Sequence, residues 1–192
     1  MLKVTTLFYS IQGEGTNMGK PSIFIRLYGC NLDCSFCDDN WHKGAYQEYS
    51  FEQLLEQIKV YKSKNIVITG GEPSIYDLNK FIVFIQSHGY NISIETNGYK
   101  FENIKQANWI TYSPKDWKNI HTTGYNELKC IVNRDSDIQP LLDLEIEQPI
   151  FIQAENYFDE IHEENSNYCV ELVKMYPKFR LSVQIHKFLR VE

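Results

Sequence analysis

Short apolar runs of strand length alternate with amphipathic segments along this chain, and the alternation predicts an α/β protein with a mainly parallel sheet. Polar and glycine-rich clusters follow four successive strand runs, where the loops of a parallel α/β fold build a site. The chain has strands for six or seven βα units in 192 residues. Eight units usually take ~250 residues. A partial, open (β/α)6 barrel is therefore expected, with residues 1–192 as one domain.

The strand runs are 23–28, 66–69, 92–95, 109–112, 128–132, 150–153 and 181–185, each rich in β-branched or aromatic residues. Over 51–62, Leu54, Leu55, Ile58 and Tyr61 share a helical face, and Ser50 with Gln53 forms a capping-box start. A second helix is expected over 77–88. Asp77 is its N-cap, Phe81, Ile82, Phe84 and Ile85 its buried face, and Gly89 its stop. Helices also fit 136–144 and 164–176, the latter carrying Tyr168, Leu172, Val173 and Met175. The clusters after the strands are Gly29-Cys30, Gly70-Gly71-Glu72-Pro73, Thr96-Asn97-Gly98 and Ser113-Pro114-Lys115. Glycines in such loops let a ligand approach the backbone. No internal repeat, low-complexity tract or Pro/Gly/Ser linker interrupts the pattern.

Composition excludes several classes. With 43% hydrophobic and 23% charged residues the usage is that of a globular protein. A chain of this length buries roughly two-thirds of its unfolded surface, so it needs no disulfide staples. No run reaches the ~18 apolar residues of a membrane span, and the opening residues lack a secretory apolar stretch, so a cytoplasmic protein is expected. A net charge of −6 disfavours broad binding to nucleic acid or anionic membranes. An anionic substrate would need a local basic site.

Cys130 and Cys169 stand alone in apolar patterns and read as core thiols. Cys30, Cys34 and Cys37 fall together, in the spacing Cys-x3-Cys-x2-Cys. A disulfide would leave one thiol over. A structural zinc site could take His42 as its fourth ligand. An iron-sulfur cluster on three thiolates would leave one iron open to a non-protein ligand.

The cysteine spacing, with Phe36 just before the last cysteine, resembles the signature of the radical S-adenosylmethionine (SAM) superfamily, and Gly70-Gly71-Glu72-Pro73 is similar to that superfamily's glycine-glycine-glutamate-proline element. Within it the chain resembles the 7-carboxy-7-deazaguanine synthase family. The resemblance runs through Tyr9 to Gly15, Gly19 to Leu27, Gly29 to Leu32, Ser113 to Lys115, Gln153 to Asn156 and Ser182 to Lys187. It implies a radical SAM type of open barrel, a [4Fe-4S] cluster on Cys30, Cys34 and Cys37, and SAM on the open iron. It further implies ring contraction of 6-carboxy-5,6,7,8-tetrahydropterin to 7-carboxy-7-deazaguanine with loss of ammonia, on the route to queuosine.

Roles follow from the same resemblance. Ile11, Gln12, Gly13, Glu14, Arg26, Thr69 and His186 would contact substrate. Gln12 and Glu14 can read the donor and acceptor edges of a pterin, and Arg26 offers a fork for the substrate carboxylate. SAM would meet Phe36, Cys37, Asp38, Gly71, Ser113, Pro114, Lys115, Gln153, Ala154, Glu155 and Asn156, with Glu95 to Gly98 serving its ribose or the loop. Where the family carries a hydroxyl residue as a Mg²⁺ ligand this chain has Asp39, a hard oxygen donor. Where some relatives end in proline, the α-carboxylate of Glu192 would stand near the substrate. A flavodoxin or ferredoxin would donate electrons, and the family suggests a homodimer. Two rivals fit fewer residues: an activating enzyme for a glycyl-radical protein, which would not need Gln12, Glu14 and Arg26, and a Cys₃His zinc-binding module.

Overall fold

A computed structural model describes residues 1–39, 41–158 and 160–191. The described residues contain nine strands: β1 (Leu2–Ile11), β2 (Pro21–Leu27), β3 (Gln47–Tyr49), β4 (Asn65–Gly70), β5 (Asn91–Thr96), β6 (Trp109–Tyr112), β7 (Glu127–Val132), β8 (Ile150–Ala154) and β9 (Phe179–Ser182). They form one sheet in the order β3-β1-β2-β4-β5-β6-β7-β8-β9. From β2 onward every neighbouring pair is parallel, and β1 joins β2 and β3 antiparallel. The sheet does not close, so the fold is a partial, open barrel.

Period-two alternation sorts the side chains of each strand. Ile23, Ile25, Leu27, Ile66, Ile68, Ile92, Ile94, Leu128, Cys130 and Ile152 point to the outer face and join one large core. The residues between them face inward: Phe8, Phe24 and Val67 as a small apolar patch, and Arg26, Thr69, Glu95, Lys129 and Gln153 as a polar lining.

The outer face is covered by α1 (Phe51–Ile58), α2 (Asn79–Ser87), α3 (Gln139–Leu142) and α4 (Glu163–Met175). In α1 the capping box is complete: Gln53 N donates to Ser50 Oγ at 3.2 Å and Ser50 N donates to Gln53 Oε1 at 2.7 Å. Leu54, Leu55 and Ile58 bury its apolar face, about 1.5–3 kcal/mol each. Cys130 and Cys169 are buried in the core, and burial pushes both thiols up to about 12.

Several expected boundaries move. The helix over 51–62 stops at Ile58, because Val60 beyond it is exposed and Tyr61 turns to stack on Tyr9 of β1 at 5.3 Å. Asp77 lies two residues before α2, where its Oδ1 accepts from Asn79 N at 3.1 Å. The helix over 136–144 shrinks to the four residues of α3. The strand expected at 181–185 ends at Ser182. Residues Ile185–Leu189 instead form a short helix, α5, with Ile185 N donating to Gly13 O at 3.1 Å. β1 and β3 were not among the expected strands. In β1 the register slips between Val4 and Thr6, a bulge that breaks the alternation a strand normally shows.

Candidate active site

The inner sheet face and the loops at the carboxyl ends of the parallel strands line a cavity of about 1010 Å³. Cys30, Cys34 and Cys37 are free thiols on the loop after β2, and all three line this cavity. Cys37 N donates to Cys34 O at 3.2 Å, closing a tight turn between them. Burial raises the Cys30 and Cys37 thiols above their ordinary range. Among the described residues no three His, Cys, Asp or Glu side chains gather round a single-ion position. Three free thiols on one short loop lining one cavity are the donor set of a cluster that takes one thiolate per iron and leaves an iron open. His42, the fourth ligand of the zinc reading, is buried with its Nδ1 hydrogen-bonded to the Asp39 carbonyl oxygen.

The turn after β4 locks this loop in place. Gly70 sits at φ +109°, and a Cβ on Gly71 would lie 2.0 Å from Gly29 O. The space a side chain would take at Gly71 is filled by the backbone of the thiol loop, while Gly70 and Gly71 themselves line the cavity. Glu72 is 1% exposed. Its carboxylate accepts from Ser74 N at 2.9 Å, Thr96 Oγ1 at 2.5 Å and Asn97 N at 2.6 Å, tying the ends of β4 and β5. Asn97 Nδ2 in turn donates to Asn31 Oδ1 at 3.0 Å, reaching the thiol loop.

On the cavity lining, Lys129 of β7 pairs with Glu14 and, at 2.8 Å, with Glu95 of β5. Gln12 Nε2 donates to Glu95 Oε1 at 3.0 Å, and Gln184 Nε2 donates to Glu14 Oε1 at 2.9 Å and to Asp38 Oδ2 at 2.8 Å. Burial disfavours the Glu14 carboxylate, but Lys129, His186 and Gln184 outweigh it and hold its pKa at about 2. Burial wins at Glu95, whose pKa is raised with the help of repulsion from Glu14. For Lys129 burial is overcome by the two carboxylates, so the ammonium is held more firmly than usual. The pKa of His186 is lowered, chiefly by burial, against the pull of Glu14.

Arg26 of β2 lies 3.7 Å from Asp39, with its guanidinium 5.3 Å from the Phe8 ring centre. Its buried Nε has no hydrogen-bond partner among the described residues, and neither has Ser113 Oγ. Lys115 stands 5.7 Å from the Phe36 ring, and burial foremost, then Lys129, lowers its pKa.

Residues 24–143 match the radical SAM superfamily. Over 193 aligned residues the chain is 33% identical to the 7-carboxy-7-deazaguanine synthase of Bacteroides thetaiotaomicron, covering 100% of this chain and 99% of that protein. It is 35% identical to the Haemophilus influenzae protein of the same name over 98% of this chain and 93% of the relative. The chain belongs to the 7-carboxy-7-deazaguanine synthase family. The crystal structure of QueE from Escherichia coli superposes with a TM-score of 0.78 at 28% identity, covering 95% of this chain and 93% of that one.

Of the residues assigned to a 7-carboxy-7-deazaguanine synthase site from sequence, Ile11, Gln12, Gly13, Glu14, Arg26, Thr69 and His186 line the cavity. So do Phe36, Asp38, Asp39, Gly71, Ser113, Lys115, Gln153, Ala154, Glu155 and Asn156. Pro114 does not; its carbonyl accepts from Trp117 Nε1 at 3.3 Å. Glu192 lies outside the described residues. His186 and Lys187 sit on α5, not at a strand end. Sequence reasoning missed Phe8, Lys129 and Gln184. Lys129 did leave a trace, a lone cation in the apolar run Leu128-Lys129-Cys130-Ile131-Val132.

Proposed function

We propose that residues 1–192 act as one cytoplasmic radical SAM domain that contracts 6-carboxy-5,6,7,8-tetrahydropterin to 7-carboxy-7-deazaguanine with loss of ammonia, a step toward queuosine. The observation that carries this reading is a single cavity lined both by three free thiols and by the Gln12, Glu14 and Arg26 set. Cys30, Cys34 and Cys37 are the ligands for a [4Fe-4S] cluster. When bound, that cluster and SAM supply one-electron reductive cleavage and a radical able to take hydrogen from substrate C6.

The chain's own residues do the rest. Ser113 Oγ, buried and unpartnered among the described residues, offers SAM a hydrogen bond that nothing else satisfies. Lys115 and Gln153 to Asn156 line the same cavity and are the further residues that would meet SAM. Arg26 presents its guanidinium to the substrate carboxylate, with Nε still to be satisfied. Gln12 and Glu14 address the pterin edge. Phe8 and Phe24, stacked at 4.9 Å, keep part of the cavity lining apolar. Asp39 supplies an oxygen ligand for Mg²⁺ beside Arg26. A flavodoxin or ferredoxin delivers the electron. Exposed Leu181 on edge strand β9, with exposed Phe188 and Leu189 on α5, supports a homodimer.

The test is anaerobic turnover of iron- and sulfide-reconstituted protein with 6-carboxytetrahydropterin, SAM, Mg²⁺ and a strong reductant, followed by mass spectrometry. The expected product is 7-carboxy-7-deazaguanine, and Cys34→Ala should lose both the visible absorption and all SAM cleavage. Deoxyadenosine without the deazaguanine would move the assignment to another radical SAM substrate. A colourless zinc-loaded protein would return it to a structural metal.

A further inference from the structure

Lys129 takes no part in the cluster or SAM sites described above, yet it is the hub of a polar network that lines the cavity. It projects from the middle of β7, is 5% exposed, and spends two of its three N–H groups on Glu14 Oε2 and Glu95 Oε2. Gln184 holds Glu14 Oε1 and Gln12 holds Glu95 Oε1, so each carboxylate is aimed from both ends. A carboxylate oxygen accepts two hydrogen bonds. Glu14 therefore retains an accepting position on each oxygen, at a site that lines the cavity.

A mostly buried carboxylate is driven toward its protonated form unless a cation faces it. The charged groups around Glu14 come from every neighbouring element: Lys129 from β7, Glu95 from β5, His186 from α5, and Asp38 of the thiol loop through Gln184. Glu127 of β7 binds the same N-terminal loop through Thr16 N at 3.0 Å, and Arg26 of β2 acts on His186. In this company Lys129 is the ammonium that ion-pairs with Glu14.

We infer that Lys129 is a positioning residue for substrate recognition: it keeps Glu14 ionised and fixed by Gln184, so that Glu14 accepts the paired N–H donors of a guanidine-like edge such as the 2-aminopyrimidinone half of a pterin. The inference rests on the proposed function and names the residue that sets its specificity. A protonated Glu14 would place a donor against a donor and lose the charge that makes such a pair strong.

The test is anaerobic calorimetric titration of the cluster-reconstituted full chain with 6-carboxypterin, a fully oxidised and unreactive probe, from about pH 5 to about pH 9. Ratios of wild type to variant at each pH cancel the probe's own titration. Wild-type Glu14, with its pKa at about 2, stays ionised throughout. In Lys129→Met burial raises that pKa, so affinity falls as pH drops through the raised value. The expected ratio is about 10- to 100-fold near neutrality, larger at low pH and smaller at high pH. Lys129→Met/Glu95→Gln leaves the formal charge of the cluster unchanged and should show the same acid loss even where the single variant folds poorly. Glu14→Gln should weaken binding by a ratio independent of pH. A ratio below about threefold, or a pH-independent one, in the lysine variants overturns the inference while wild-type binding upholds the function. Wild type that does not bind the probe overturns both.

Discussion

Glu72 shows how a residue in a recognisable turn acquires a role its motif does not reveal. Its carboxylate accepts three hydrogen bonds from two loops while almost wholly buried. Glu72→Gln replaces one accepting oxygen with an amide donor that must face another donor. The expected cost is about 1.5–3 kcal/mol of unfolding free energy. That corresponds to a fall in melting temperature of about 3–12 °C for a chain this size. An unchanged melting curve would contradict the tie between β4 and β5. The sequence made the turn legible through its two glycines and proline, and it made the three thiols legible through their spacing. It left the partners of Glu72 hidden, because Thr96 and Asn97 reach it only after β5 has paired with β4. Lys129 was hidden for the same reason. Its own run reads as an ordinary strand, and only β5 and the loop after β1 supply the two carboxylates it bridges.

At the level of elements, legibility followed the strength of local signals. The capping box and three-residue apolar face of α1 are complete within 51–62, so the helix was found and only its end moved. Ser50→Ala removes one side of that box and should cost about 1 kcal/mol, read as a lower denaturant midpoint with an unchanged slope. An unaltered midpoint would show that packing of Leu54, Leu55 and Ile58 alone sets the helix. β1 and α5 had no such signal. The bulge between Val4 and Thr6 interrupts the alternation of β1, and α5 has five residues and no side-chain cap. Both are fixed by distant contacts: β1 by its ladders to β2 and β3, α5 by Gly13 O at the opposite end of the chain.

Across the whole molecule, the first and last elements clasp each other at the cavity. A Cβ on Gly13 would lie 2.2 Å from His186 Nδ1, and Gln184 reaches Glu14 across 170 residues of sequence. Gly13→Ala meets a side-chain ring and not backbone, so the sheet can tolerate it while His186 and α5 shift. The expected outcome is a melting temperature within a few degrees of wild type and a raised KM for the pterin, with uncoupled SAM cleavage retained. Equal loss of both activities would mean that the clasp supports the fold and not the substrate side. Contacts of such long range form slowly relative to local ones. A nascent chain that has not yet released α5 from the ribosome can carry the thiol loop and most of the parallel sheet, but no wall behind them. An iron-sulfur centre fitted at that moment would face open solution and its oxidants, so cluster delivery is best timed after α5 has docked.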